Sequence, residues 1–454
     1  MPDAASADSL SPSASLLEPP VKGLRLDESA TAEDLFAGRP ALTGELFSWP
    51  LLTLAESALE HNIATMAALC AEHGVLHAPH VKTAMSPQLY ARQQAAGVWG
   101  ATVATPFQLR TVRGWGAQQV MLANEFTDPR EARWLRTELE SAALAGSPGT
   151  VWVWVDSARG VELLAEQFSG AGQEILDQLG ILVELGVPGG RTGLRTVSSA
   201  VEIARMIRDA GLPLLGVAGY EGPLVDHDAT PGPHTPLPRE PKIREYVRSL
   251  RALADRFVAE QLVADGVGEP GQEVVVTVGG SDVVDVILDE LGHSAGYGPV
   301  RGVIRSGAYL THDHGLCARA NPWQFLGARM RPAATVWGSV VSAPEEGLAL
   351  VNVGRRDVPF DIDLPVVLSR RELNADGGWT PAEELPGWQV TNLNDQHAYL
   401  RASAPGGASQ PGQLQVGDVV GLGISHPCTL FDKWRVAVLT DEADRAVGAV
   451  TTQF

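Results

Sequence analysis

Lys82 is the residue of this chain best suited to nucleophilic chemistry, and it lies in the segment HAPHVKTAMSP at 77–87. An amine that attacks an aldehyde must be deprotonated and held in place, which the end of a strand at a barrel mouth allows. Only four of the 34 Lys and Arg residues are lysines, and Lys22, Lys242 and Lys433 fit this role poorly. Because a guanidinium cannot replace the amine, we expect Lys82 to be the nucleophile, with a structural role as the alternative.

A second pair of reactive side chains lies near the C-terminus, in the segment HPCTLFDKW at 426–434. His426 and Cys428 are two positions apart, so both project to the same side of a strand or turn, as metal ligands would. Imidazole together with thiolate favours zinc, although another divalent metal remains an alternative. The segment THDHGLC at 311–317 also carries two histidines and a cysteine, and we interpret it as structural.

Alternating strands and helices are the elements that must position these residues. Short apolar runs alternate with helical segments from about residue 41 to 316, as in a (β/α)8 TIM-type barrel. A doubly wound open sheet is the alternative. Strands are predicted near 75–81, 101–105, 120–124, 151–155, 181–185, 214–219, 274–278 and 304–310, and a helix over 57–70 carries Leu59, Ile63, Met66 and Leu69 at helical spacing.

The remainder of the chain divides into three predicted parts. Residues 1–40 are expected to form a disordered tail, 41–322 the barrel, and 323–454 an all-β domain, because short β-rich runs with turn signals begin near 331. The six prolines of the segment at 223–241 predict an irregular loop near the strand ends.

Charge and cysteine content limit the partners. A net charge of −20 and a pI near 4.9 argue against nucleic acid and anionic membranes, which require clustered positive charge. No apolar run reaches the ~20 residues of a membrane helix. Three scattered cysteines indicate a reducing, cytoplasmic location, and a small molecule is the expected partner.

Four segments, in order along the chain, resemble fold-type III pyridoxal-phosphate enzymes of the D-serine dehydratase and D-threonine aldolase family. These are PHVKT at 79–83, RTG at 191–193, VGGS at 278–281 and HPC at 426–428. The resemblance implies an alanine racemase-like barrel with a metal-binding β-domain. In that arrangement Lys82 carries the cofactor, Arg191 lies beside its ring, and His426 and Cys428 bind the metal. It further implies that Gly279, Gly280 and Ser281 bind the phosphate, as successive backbone N–H groups of a glycine-rich turn can.

The resemblance also assigns residues outside these segments. Tyr220 in GYEG occupies the position of a cofactor-contacting residue, and His397 in NDQHAYL matches a family histidine that could reach the active site. His80 faces the same side as Lys82, either as a supporting partner or as part of the core. The chain differs from many relatives at Ala84-Met85, where they have His-Lys, and in the turn GRRD at 354–357, where GSKA is more usual.

The expected activity is that of a pyridoxal-phosphate- and zinc-dependent lyase acting on a small D-3-hydroxy amino acid. D-Serine dehydratase comes first, because a cysteine ligand resembles the dehydratases. D-Threonine aldolase is the alternative activity, and a non-catalytic pyridoxal-phosphate-binding protein or a purely structural acidic barrel are alternatives of other classes. The family further implies a homodimer.

Overall fold

The structure, a computed structural model, describes residues 16–225, 241–268, 272–292, 300–403 and 413–454. Most of the predicted proline-rich loop at 223–241 therefore lies outside the described residues. The strands are β1 (Leu16–Leu17), β2 (Ala30–Thr31), β3 (Leu51–Ala55), β4 (Leu76–His77), β5 (Ala101–Val103), β6 (Gln119–Glu125), β7 (Thr150–Val155), β8 (Leu179–Leu185), β9 (Leu214–Gly219), β10 (Val274–Val278), β11 (Val300–Ile304), β12 (Ala334–Glu345), β13 (Leu348–Val351), β14 (Val366–Arg371), β15 (Glu383–Glu384), β16 (Trp388–Leu393), β17 (Ala398–Ala402), β18 (Val419–Gly423), β19 (Val436–Thr440) and β20 (Ala446–Thr451).

The helices cover the barrel strands or connect the two sheets. They are α1 (Ala32–Phe36), α2 (Glu56–His73), α3 (Pro87–Ala95), α4 (Pro106–Gly114), α5 (Pro129–Leu144), α6 (Ala158–Phe168), α7 (Gln173–Leu176), α8 (Val197–Asp209), α9 (Pro241–Ala259), α10 (Val284–Leu291) and α11 (Leu316–Ala320). Helix α2 buries Leu59, Ile63, Met66 and Leu69, the stripe that its sequence predicts. Within the described part of the chain, each helix is too short or too polar to cross a membrane.

Eight parallel strands, β4 to β11, form one sheet. Within it, the strands from β5 to β11 lie side by side in the order of the chain. Strand β4 pairs with β11 on one side. On the other side Trp99 N–H donates to the His77 carbonyl (2.8 Å), Thr102 N–H donates to the Pro79 carbonyl (2.9 Å), and His80 bridges to Thr102. These contacts close the sheet, so the predicted (β/α)8 barrel is confirmed and an open sheet is excluded.

Two predicted strands end earlier than expected, and both ends matter for the site. Strand β4 stops at His77, and Lys82 lies in the 3₁₀ helix Val81–Thr83 that follows. Strand β11 stops at Ile304, and Ala308–Leu310 is another 3₁₀ helix. The apolar runs continue past the ladders because these turns are themselves buried in the barrel mouth.

The second sheet is antiparallel for the most part and lies almost entirely within 334–451, as the predicted all-β domain requires. One strand comes from elsewhere in the chain. Strand β3 pairs with β12 antiparallel and with β19 parallel, although it precedes the barrel. The β-domain therefore includes a strand from inside the range 41–322, which the predicted division assigned to the barrel.

The prediction of a disordered tail over 1–40 is wrong for its described part, residues 16–40. Leu17, Leu24 and Phe36 are buried, and they pack with Phe47 and with β-domain residues in a separate apolar cluster. Lys22 contributes as well, because its Nζ lies 3.0 Å from Asp357 Oδ1 and 3.7 Å from the centre of the Trp434 ring. These apolar residues are too sparse to give a periodic pattern, so their sequence resembles that of a tail.

Candidate active site

A cavity at the mouth of the barrel brings together most of the predicted site residues. Its wall includes Lys82, Arg191, Tyr220, Gly279, Gly280, Ser281 and Cys428. These residues come from the turns after β4, β8, β9 and β10 and from the β-domain, so the carboxyl ends of the strands and the second sheet face one space. His426 lies two residues from the wall, and His397 lies away from it.

Lys82 is half-buried in this cavity, and its surroundings favour a neutral amine. Burial has the largest effect and lowers the pKa of Lys82, because the charged form loses its hydration. Cys428 raises the pKa of Lys82, whereas the cations Arg191 and Arg305 lower it further. A neutral amine is the form that can attack a carbonyl carbon or accept a proton.

The glycine-rich turn after β10 has the geometry of an oxyanion site. Gly280 has φ +98°, which favours glycine, and a Cβ on Gly279 would lie 2.8 Å from the Tyr220 ring. The Gly279 N–H donates to Glu221 Oε2 over 3.1 Å, so a backbone donor of this turn already binds a carboxyl oxygen of the chain itself. Its donors therefore suit a phosphate.

Arg191 and Tyr220 stack against each other at the rim. The guanidinium carbon of Arg191 lies 4.4 Å from the centre of the Tyr220 ring. Burial, with a smaller effect of Glu221, raises the pKa of Tyr220 to about 12, so its hydroxyl stays protonated at neutral pH. The pair lines the same cavity as Lys82.

Three further residues of the cavity were not predicted as site residues: Glu221, Arg305 and Trp154. Arg305 is buried, and it donates to Thr277 Oγ1 (2.7 Å) and to the Gly219 carbonyl (2.7 Å). Burial lowers the pKa of Arg305 to about 10. Their position in the sequence could have identified two of them, because Glu221 and Arg305 both follow the end of a barrel strand, as Arg191 does.

His80 also lines the cavity, and burial lowers its pKa well below the ordinary value. Two nitrogen atoms of the wall, His80 Nδ1 and Trp154 Nε1, are buried without a hydrogen-bond partner among the described residues. Such atoms are costly unless a ligand or water satisfies them. The cavity therefore presents unused polar groups.

The segment of the β-domain that carries His426 and Cys428 lies against the lysine turn. The 3₁₀ helix Pro427–Thr429 contacts Val81–Thr83, which brings Cys428 into the cavity. His426 Nδ1 lies 2.8 Å from Asp361 Oδ2. Burial opposes a charge on His426, but its hydrogen bonds to Cys428 and Asp361 raise the pKa to about 9. Imidazole and thiolate side by side suit a borderline-soft metal, with coordination positions left for other ligands.

A second group of metal-capable atoms, which the sequence did not predict, lies at the ends of β6, β7 and β8. Oxygen atoms of Glu125, Asp156 and Glu184 lie within 4.8 Å of one another. Burial, followed by the hydrogen bond and repulsion from Glu184, raises the pKa of Glu125 to about 9. Glu125 therefore keeps its proton to a higher pH than an ordinary carboxyl group does.

Two other histidine-containing segments lie outside the cavity. In THDHGLC the Asp313 carboxylate accepts from the backbone N–H groups of Gly315 and Cys317, each at 2.9 Å, which is a structural arrangement. His397 is exposed in the turn between β16 and β17, where its carbonyl accepts from Asn394 N–H at 2.8 Å. A role for His397 in catalysis stays a prediction.

Comparisons with known proteins agree with this arrangement. The family model described as "Putative serine dehydratase domain" matches residues 333–440. The chain is 25% identical over 339 residues to the 3-hydroxy-D-aspartate aldolase of Paracoccus denitrificans (strain Pd 1222), which covers 74% of this chain and 80% of that protein. It is 26% identical over 368 residues to the D-threo-3-hydroxyaspartate dehydratase of Delftia sp. (strain HT23), covering 77% and 82%.

Among solved structures, D-threonine aldolase from Filomicrobium marinum is similar, with a TM-score of 0.69 at 20% identity over 89% of this chain and 95% of that one. The fold and the site thus define an alanine racemase-like barrel with a β-domain. The match to the serine dehydratase model and the two relatives above support the resemblance of its motifs to fold-type III pyridoxal-phosphate enzymes of the D-serine dehydratase and D-threonine aldolase family. The family members named here are lyases of D-hydroxy amino acids.

The raised pKa of Glu125 predicts a pH-dependent effect of Glu125→Gln. The unfolded chain ionises this carboxyl above about pH 4.3, whereas the folded protein keeps the proton until about pH 9. Between these limits the folded state binds more protons, so the wild type loses stability as pH rises. The variant lacks this loss, and its free energy of unfolding relative to the wild type should increase from pH 6 to pH 9.

Urea unfolding at both pH values, without added metal, measures this difference. Glu162→Gln, at an exposed position on α6, is the matched control and should show no such trend. A Glu125→Gln difference that is constant with pH, or that falls, would contradict the raised pKa of Glu125.

Proposed function

We propose that this protein is a pyridoxal-phosphate- and metal-dependent lyase acting on D-3-hydroxy amino acids, with D-serine dehydration as its first activity. The observation that carries the proposal is the shared cavity of Lys82, the turn 279–281 and Cys428. A purely structural barrel has no need of a cavity that combines a nucleophilic amine, a turn suited to an oxyanion and a metal-binding thiol.

Pyridoxal phosphate fits the residues of this cavity. The turn Gly279, Gly280 and Ser281 would hold the phosphate, and Lys82 would hold the aldehyde carbon. Arg191 and Tyr220 would face the ring, and the unpartnered nitrogens of His80 and Trp154 offer further donors or acceptors. Several positive groups also suit a dianionic cofactor.

His426 and Cys428 would hold the metal. When bound, the cofactor supplies an electron sink for charge at the substrate Cα, and the metal supplies a Lewis acid for the substrate hydroxyl. The chain itself would contribute the base, because burial lowers the pKa of Lys82 and its amine in the cavity could take the Cα proton. Thiolate with imidazole favours zinc over magnesium or manganese.

Dehydratase and aldolase are the two outcomes that this site allows. β-Elimination from D-serine gives pyruvate and ammonia, whereas retro-aldol cleavage of D-threonine gives glycine and acetaldehyde. A cysteine ligand favours the dehydratase by its resemblance to those enzymes. The aldolase remains the second candidate because a relative at 25% identity is named a 3-hydroxy-D-aspartate aldolase. A non-catalytic carrier would have no use for the Cys428 thiol beside Lys82.

A homodimer and a cytoplasmic location are part of the proposal. The loop before β14 exposes Phe360, Ile362 and Leu364 at 46%, 45% and 37% of their surfaces, close to His426. An apolar face beside a functional site suits burial against a second copy of the chain. All three cysteines are unpaired, as a reducing compartment requires.

A substrate panel tests the activity. Purified protein with added cofactor and zinc is given D-serine, D-threonine and D-threo-3-hydroxyaspartate, their L-isomers serve as controls, and 2-oxo acid, ammonia and glycine are measured. We expect pyruvate and ammonia from D-serine, lost on chelation and restored by zinc. Lys82→Arg keeps a long basic side chain but removes the nucleophilic amine, and it should lower turnover at least about 10²-fold.

Lys242→Arg is the matched control, because Lys242 is exposed on α9, and it should keep turnover within twofold of the wild type. Glycine without 2-oxo acid would favour the aldolase. No product from any D-substrate, with cofactor and metal both bound, would contradict the lyase proposal.

Sedimentation velocity tests the dimer. The wild type should sediment as a dimer, and the double variant Ile362→Glu/Leu364→Glu as a monomer, because two charges cannot be buried in an apolar interface. Val416→Glu, at a residue that is 62% exposed, is the control and should remain dimeric. A monomeric wild type, or a dimeric double variant, would contradict the proposed interface.

A further inference from the structure

Asp361 makes an unusual pair of contacts to the segment that carries the metal ligands. Its Oδ2 lies 2.8 Å from His426 Nδ1, and its Oδ1 accepts a hydrogen bond from Thr429 Oγ1 at 3.1 Å. Cys428 lies between these two partners in the chain. One carboxylate therefore fixes both ends of a four-residue segment whose middle enters the cavity.

These contacts determine which nitrogen of His426 is available. An ionised carboxylate only accepts hydrogen bonds, so Nδ1 must be the donor. The second ring nitrogen, Nε2, is then the one that Asp361 leaves available, and Cys428, two residues further on, lies in the cavity wall. A metal ion bound by His426 and Cys428 together would need the lone pair of that nitrogen.

We propose that Asp361 is a positioning residue that orients His426 and fixes its tautomer, so that Nε2 and the Cys428 sulfur can bind one metal ion. This inference rests on the proposed metal site of the lyase. It assigns a role in that site to a residue of the loop between β13 and β14, which is distant in sequence from His426. The alternative is an ordinary surface ion pair, because the Asp361 side chain is 39% exposed.

The loop also provides a matched control two residues away. Asp363 has a similar exposure of 42%, but its side chain pairs with Arg319 instead of His426. Its backbone carbonyl accepts from Ser425 Oγ at 2.7 Å, and a side-chain substitution leaves that contact possible. Asp363→Asn therefore removes an equal charge from the same loop without removing the partner of His426.

Metal affinity of the stripped protein is the measurement, so the test does not depend on turnover. Zinc binding is measured by competition with a chromophoric chelator, and cobalt binding by its thiolate charge-transfer band. Asp361→Ala should weaken zinc binding about 10–100-fold, as loss of a partner behind a ligand does. Asp361→Asn should lose less, because its amide oxygen can still accept from Nδ1. Asp363→Asn should stay within twofold of the wild type.

The outcomes separate this inference from the proposed function. If the wild type binds zinc and His426→Ala does not, equal affinity of Asp361→Ala and the wild type overturns the positioning role alone. Equal losses in Asp361→Ala and Asp363→Asn also overturn it, because the effect is then one of loop charge. A wild type that binds neither zinc nor cobalt overturns the metal site and the inference with it. Circular dichroism melts check that each variant is folded.

Discussion

The contact between two short helical turns, Val81–Thr83 of the barrel and Pro427–Thr429 of the β-domain, is the constraint on which the site depends. Neither turn has a complete reactive set of its own. The first supplies an amine and the second a thiol, and only their packing puts both on one cavity. Any change in the position of the second sheet relative to the barrel would therefore alter the chemistry as well as the stability.

The rest of the fold fixes that contact from several directions. Strand β3 leads directly into α2 of the barrel, yet it pairs with β12 and β19 of the second sheet. The described N-terminal residues also contact the β-domain. Lys22 forms an ion pair with Asp357 and a cation–π contact with Trp434, which lies six residues after Cys428. Trp434 Nε1 in turn donates to the Asp357 carbonyl over 2.8 Å. The two sheets thus behave as one support for the cavity.

Charge inside the barrel mouth is balanced over several residues. Lys82, Arg191 and Arg305 are cationic groups, and burial lowers the pKa of Lys82 and Arg305. Glu221 and the carboxyl pair of Glu125 and Glu184 provide the acidic side, with raised pKa values for Glu221 and Glu125. Burial is the first cause of both shifts, since it lowers the pKa of Lys82 and raises the pKa of Glu125 toward their neutral forms.

Local patterns in the sequence were sufficient to predict the barrel, and they singled out Lys82, the glycine turn and Cys428, which the structure brings to one cavity. They were insufficient for Arg305, Glu221 and Asp361, whose meaning depends on what lies across the cavity. The N-terminal segment was misjudged for a similar reason. Its few apolar residues have no period of their own, and their burial depends on a sheet that begins some 300 residues later. The spacing of residues along the chain does not reveal such long-range packing.

Chemical mapping of the cofactor lysine tests the central claim most directly. The protein is incubated with pyridoxal phosphate, reduced with borohydride, and digested for peptide mass spectrometry. The account predicts one stoichiometric modification, on the peptide that contains Lys82, and none in the Lys82→Arg variant. Modification mainly at Lys22, Lys242 or Lys433, or no modification of the folded protein, would contradict it.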